Sequence, residues 1–181
     1  TGVEPVFYRP EREAQVLQAK IIAANAYKLA DDPTESAGMP TPLKQVPFFN
    51  LAPLENALAR LKISAANYDR TLAAKASGLA PATKAQLVAL AGKTEQAMTT
   101  EPGLPGGRGW YRNMIYAPGR FTGYGAKTLP GVREAIEDER WEDADTYSVL
   151  TAKTINAYAD LLDQGVTLMG GVAPAISAGA K

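Results

Sequence analysis

Between Leu54 and Ala76 apolar side chains fall at Leu54, Leu58, Leu61, Ala65, Tyr68 and Leu72. The alternating four- and three-residue steps put all six on one face of an α-helix. Such a face, roughly 35 Å long at 1.5 Å per residue, has to be covered by another helix. The chain is thereby committed to helix-on-helix packing. Asn50 stands where an N-cap would, Pro53 falls in the first turn, and Gly78 is placed as the stop.

The rest of the chain supplies the partners. Glu11 to about Ala30 is strongly helix-forming, with Val16, Ala19, Ile22, Ala26 and Leu29 at helical steps, and Asp31-Asp32-Pro33 ends it. A further helix runs from about Pro81 or Thr83 to Met98, and a short amphipathic one from Val132 to Glu139. Asp143 reads as the N-cap of a long helix reaching about Gln164. Along it Ser148, Ala152, Ile155, Ala159 and Leu162 make an apolar-to-small row that lets a second helix come close. Residues 34–50 form a proline-rich connector whose end packs down through Phe48 and Phe49, and 166–181 reads as a flexible tail. The expected fold class is all-α: a bundle of about four long helices with one long aromatic, Gly- and Pro-rich loop between the third and the last. Residues 51–165 would be the helical domain, and 1–33 a separate N-terminal segment.

That loop, centred on residues 108–131, has no helical period. It carries Trp110, Tyr111, Tyr116, Phe121 and Tyr124, with Arg108, Arg112, Arg120 and Lys127 interleaved. Long structureless loops in compact domains are functional or disordered, and disordered segments are poor in aromatics. The expectation is therefore an ordered loop packed by its own rings. Met114-Ile115-Tyr116 is expected to be extended but not to build a sheet. Pro105-Gly106-Gly107-Arg108-Gly109 lacks the Lys-Ser/Thr ending of a phosphate loop and reads as a turn. Tyr124 sits between Gly123 and Gly125, either as a hydroxyl donor on a tip that can approach a partner or as a turn residue capping the helices. Arg112 is expected to be buried, pairing a carboxylate or stacking on Trp110. The acidic run from Glu134 through Glu137, Asp138, Glu139, Glu142, Asp143 and Asp145 reads as a solvated helix end.

Composition narrows the chemistry. With 181 residues, 46% of them hydrophobic, one domain can bury a sound core. Nineteen acidic and 19 basic residues cancel, which leaves no electrostatic pull on a nucleic acid. No apolar run is long enough to span a membrane. There is no histidine and no cysteine, so thiol catalysis, disulfides and serine–histidine triads are excluded for this chain, and the usual zinc ligands are missing. No metal or other cofactor is expected here. A small enzyme working through carboxylates or tyrosine is the least favoured reading.

The loop also carries a pattern. Gly103-Leu104-Pro105, Trp110-Tyr111-Arg112, Ile115-Tyr116-Ala117-Pro118, Tyr124 and Pro130-Gly131 resemble the corresponding segment of the transferrin receptor-like dimerisation domain. That is the helical C-terminal part of glutamate carboxypeptidase II and its relatives. The resemblance extends from about Phe48 to Gln164. It implies that residues 1–33 are the last helix of a preceding peptidase domain, absent from this chain, which would hold two zinc ions. It implies a homodimer, with Leu54, Leu58, Leu61, Tyr68, Ile155 and Leu162 on the dimer or core helices. It also implies that Trp110, Tyr111, Arg112, Tyr116, Pro118, Pro130 and Gly131 shape a loop closing one wall of a peptide-substrate cleft. In the carboxypeptidase a Lys-Tyr pair of this loop holds the substrate's terminal carboxylates. Here the tyrosine is Tyr124, whereas the lysine position is Gly123, and neither Lys127 nor Arg120 aligns with it. An extracytoplasmic or periplasmic parent is likewise implied only by the resemblance. Some relatives have lost catalysis, so an inactive receptor-like scaffold is the alternative.

Overall fold

The computed structural model describes residues 9–28, 38–121 and 123–174. In chain order it has α1 (Arg9–Ala23), a 3-10 turn (Ala26–Lys28), α2 (Ala52–Lys75), α3 (Pro81–Ala91), α4 (Thr94–Ala97), β1 (Tyr116–Pro118), β2 (Ala126–Thr128), α5 (Pro130–Glu137) and α6 (Trp141–Leu168). The fold is mainly helical, as the periodicity requires, with one small two-stranded antiparallel sheet, β1–β2, which the sequence reading did not foresee. The expected helix stop at Asp31-Asp32-Pro33 and the last residues of the tail lie outside the described residues.

The frame is the pair α2 and α6. They run side by side in the same direction. Leu54, in the first turn of α2, packs with Ala152, Arg60 further along donates to the Asn156 carbonyl (3.2 Å), and the Tyr68 ring lies against Gly165 near their ends. Parallel neighbours need a long return connection, and everything from Ala76 to Arg140 is that connection. The aromatic loop belongs to it.

The seam that α2 buries is not the leucine row. Leu54, Ala57 and Ser64 are buried, whereas Leu58 is 46% exposed and Leu61, Tyr68 and Leu72 are half-buried. α6 explains the shift. Against α2 it brings the small Ala152 and Gly165, and several of its other buried residues, Ser148, Thr151 and Ala159 among them, are small too, so the α2 backbone can approach along its own small residues. Ile155 and Leu162 flank that line, half-buried. Arg60 ties the two helices by ion pairs to Asp160 and Asp163.

Other boundaries moved for local reasons. The third expected helix breaks after Ala91, where the Thr94 hydroxyl donates to the Ala91 carbonyl (2.8 Å) and α4 begins as a separate turn. α6 starts at Trp141 rather than after an Asp143 cap, and Asp143 instead pairs with Arg140. It continues past Gln164, because Val166 and then Met169 are buried. Asn50 accepts from the Ala52 N–H (3.0 Å) at the entry to α2. Of the two connector rings only Phe49 packs into the core, and Phe48 is 92% exposed. α1 buries no residue. It holds the extended connector through Gln18, whose side chain bonds the backbone of Thr41 and Leu43.

A second core adjoins the first at the N-terminal end of the frame, with Leu51 packed against both. Phe49, Leu104, Met114, Ala117, Val132, Ala135, Ile136, Ala144 and Tyr147 pack together there, joining the connector, the loop, α5 and the start of α6. This cluster is the platform on which the loop stands.

Candidate functional site

The loop is ordered, but not by its rings. Met114 and Leu104 anchor it with almost no exposure, and Ala117 is buried beside them. Trp110, Tyr111, Tyr116, Phe121 and Tyr124 all face outward, Trp110 at 71% and Phe121 at 80% exposed. Aliphatic residues between the aromatics hold the segment down, and the rings are displayed.

Backbone bonds fix its path. The Met114 N–H donates to the Met98 carbonyl (2.9 Å) and the Leu104 N–H to the Tyr111 carbonyl (2.9 Å). The Asn113 carboxamide oxygen accepts from the N–H groups of Ile115 (2.8 Å) and Tyr116 (3.1 Å), an Asx turn that sends the chain into β1. β1 and β2 pair with Tyr116 opposite Thr128, Ala117 opposite Lys127 and Pro118 opposite Ala126. Beyond the last pair the Gly119 N–H donates to the Gly125 carbonyl (3.0 Å). Gly123, at φ +63°, takes the left-handed turn that a side chain would resist. Tyr124 stands at this tip, fully exposed.

After β2, Leu129 occupies a left-handed conformation (φ 48°), a strained state for a branched residue. It is held there by its N–H bond to the Ile115 carbonyl (2.8 Å) and by packing against the core. Pro130 then opens α5, where its missing N–H costs nothing. Gly131 follows because a Cβ there would lie 2.4 Å from Cδ1 of Tyr147. The Tyr147 hydroxyl donates to the Gly103 carbonyl (3.0 Å), so the Pro-Gly pair and the upstream Gly-Leu-Pro close on the same buried tyrosine. Burial chiefly, and then the Asp143 charge, pushes the Tyr147 phenol up against a smaller opposing effect of Arg140.

The main anchor was not foreseen. Glu134, read from sequence as part of a solvated run, is 3% exposed. One of its oxygens pairs with the Arg108 guanidinium, and the other accepts from the Arg120 N–H (2.8 Å). Arg108 also donates to the Pro118 carbonyl (2.9 Å). The residue taken for part of a glycine turn is thus the buried arginine. Arg112, expected in that role, is exposed and pairs at the surface with Glu101 (3.2 Å). The misreading has a physical source. Both Glu134 and Arg108 are charged residues in polar runs, and only the three-residue step from Gly131 to Glu134 placed Glu134 on the inward side of α5.

The remaining cations of the hairpin bond to the end of the same helix or to the residue that follows it. Arg120 pairs with Asp138 (3.2 Å) and Lys127 with Glu137, which also takes Arg133 (2.8 Å). Burial alone would raise the Glu137 carboxyl, but hydrogen bonds and charge from Lys127 and Arg133 outweigh it and hold it below its ordinary value. On the outer side, Trp110, Tyr111 and Tyr116 line an open groove of about 420 Å³ with Glu95, Arg112 and Asn113. The Tyr116 hydroxyl donates to the Glu95 carboxylate (3.3 Å), whose charge raises the Tyr116 pKa. Among the described residues no cluster of three or more potential metal ligands occurs, and no helix is long and apolar enough to cross a membrane.

Over 46 residues the chain is 41% identical to a protein of Arabidopsis thaliana named probable glutamate carboxypeptidase LAMP1; the match covers 25% of this chain and 7% of that protein. The transferrin receptor-like dimerisation domain matches over residues 49–163, from the buried Phe49 through the hairpin to α6. The chain therefore belongs to the transferrin receptor-like dimerisation domain family.

Proposed function

We propose that this chain is the dimerisation domain of a longer, peptidase-like polypeptide and that its hairpin forms one wall of the parent's substrate cleft, with Tyr124 as a hydrogen-bond donor to peptide. The observation that carries the second half is the hairpin itself. A tip with Tyr124 and Phe121 both exposed is clamped at its base by a buried ion pair. A fold that merely tolerated a loop would have no use for such rigidity. The dimerisation half draws on family membership and on Leu58, Ile63 and Val149, apolar positions left exposed along α2 and α6. Residues 1–33 are the end of the preceding domain in this reading, and α1, with no buried residue of its own, is consistent with packing against it. Bond cleavage and any zinc ions belong to that domain, since this chain offers no histidine or cysteine.

Sedimentation of this chain and of the full-length polypeptide tests the first half. A strict monomer in both removes it. For the second half, Tyr124→Phe in the full-length polypeptide should lower kcat/KM for peptide about 10- to 150-fold, the value of a hydrogen bond to a charged group, with the oligomer unchanged. Unchanged kinetics would return Tyr124 to a turn residue.

A further inference from the structure

We propose that the open groove under Trp110, Tyr111 and Tyr116 docks an extended, proline-rich segment of a partner polypeptide, with a basic residue of that segment set against Glu95. The inference uses none of the hairpin-tip residues and stands whether or not the cleft-wall reading does.

The groove is built before any ligand arrives. The Asn113 turn and the β1–β2 pairing fix the backbone that carries its rings. Trp110 and Tyr111 lie with ring centroids 5.9 Å apart and planes tilted by 45°. The Arg108 guanidinium sits 5.9 Å from the Tyr111 centroid, and the Tyr116 hydroxyl is held by Glu95 (3.3 Å). Pro118 lines the groove as well. All three rings are nonetheless exposed, Trp110 most of all. Rings already held in place lose little freedom when a partner covers them. Aromatic-lined grooves suit polyproline helices, whose ring-fixed backbone is likewise ordered in advance.

Hydrogen-bonding chemistry points the same way. The Trp110 indole N–H, the Tyr111 hydroxyl and the Asn113 carboxamide nitrogen make no hydrogen bond to the described residues, while the Asn113 oxygen is already taken by Ile115 and Tyr116. Free donors beside apolar rings match a ligand rich in carbonyls and poor in N–H groups. A proline-rich strand is such a ligand, because proline keeps its carbonyl and has no N–H, and the polyproline conformation leaves its carbonyls unpaired. Charge selects the flanking residue. Arg112 is matched by Glu101 at 3.2 Å, whereas the Glu95 carboxylate takes the Tyr116 hydroxyl and meets no cation among the described residues. That uncompensated negative charge favours an arginine or lysine on the ligand.

The test uses the full-length polypeptide and three fluorescein-labelled peptides of equal length, with binding read by anisotropy. The first is a proline run flanked by arginine, the second has alanine in place of the arginines, and the third has alanine in place of the prolines. The first should bind most tightly, and loss of its prolines should weaken it about 10-fold or more. Trp110→Ala, at an exposed side chain outside the core, should weaken it about 5- to 30-fold. Glu95→Gln keeps an acceptor for Tyr116 and should weaken the arginine peptide about 2- to 5-fold, leaving the arginine-free one unchanged. Equal binding of the proline and alanine peptides, or wild-type affinity in Trp110→Ala, overturns the inference. Failure of all three peptides to bind also overturns it. If Trp110→Ala then lowers the Tm of the polypeptide or its oligomeric state, the groove is covered by the protein's own chain.

Discussion

Removing the Glu134 carboxylate is the sharpest way to ask what holds the hairpin. In Glu134→Ala the Arg108 guanidinium keeps the Pro118 carbonyl as its acceptor and the Tyr111 ring beside it, and the Arg120 N–H loses its acceptor. Both partners of the ion pair are buried, with 10% and 4% of their side chains exposed, so solvent screens little. Breaking such a pair from one side costs about 3–5 kcal/mol because the other charge is stranded. Against a total stability of about 5–15 kcal/mol that is a large share, and it should lower Tm by about 6–20 °C. Urea unfolding followed by far-UV circular dichroism measures it. Amide hydrogen exchange should show Gly119, Arg120 and Gly123 losing protection first. A double variant, Arg108→Leu with Glu134→Leu, should cost less than the two single leucine variants together, since neither charge is then left alone. A cost of under about 1 kcal/mol for Glu134→Ala, or strict additivity in the double variant, would refute the stranded-charge argument.

Gly131→Ala should destabilise by about 1–3 kcal/mol, because the new methyl would meet the Tyr147 ring at 2.4 Å and the ring is tethered through its hydroxyl to Gly103; thermal unfolding reads this directly. Tyr147→Phe should cost about 1–3 kcal/mol, leaving the buried Gly103 carbonyl without its donor, and the same assay applies. The Glu137 carboxyl is held below its ordinary value in the folded chain, so its contribution is present above the unfolded-state pKa and is lost as pH falls through the folded one. Unfolding measured from pH 6 downward should show that loss beginning near pH 4.5, and Glu137→Gln should remove this component.

What could be read from the sequence follows the range of the forces involved. The helix at Ala52–Lys75 was evident because its apolar side chains recur at the period of the helix itself. Which face it buries was not, because that depends on the partner. Ala57 is buried while Leu58 stays exposed because α6 brings the small Ala152 to the contact. The loop is recognisable by its density of rings, yet the tendency of aromatics to bury points those rings inward, where the structure does not put them. Met114, Leu104 and Ala117 had already filled the core below. The Arg108–Glu134 pair joins residues 26 positions apart, and no local pattern marks one of the loop's three arginines as the buried one. Tyr124 was singled out by its flanking glycines, and the structure places it at the hairpin tip; its role remains the subject of the kinetic test.

The two halves of the proposed function are built on separable parts of the molecule. Leu58, Ile63 and Val149, exposed apolar positions, lie on the α2–α6 frame, whereas the ion pairs of the loop and hairpin go to α5 or to Asp138 just after it. α5 in turn rests on α6 through the ring of Tyr147 against Gly131. A rigid helix shared by both parts lets an oligomer contact fix the direction in which Tyr124 points without touching it. The arrangement has a consequence for variants. Substitutions on the exposed α2 face should change association and leave peptide contacts of an assembled dimer intact, while Glu134 substitutions should do the reverse. Gly131→Ala, at the joint between α5 and α6, is the one change expected to disturb both at once. If dimer-face and hairpin variants instead perturbed association and peptide binding in fixed proportion, the platform would be a single cooperative unit and the division drawn here would be wrong.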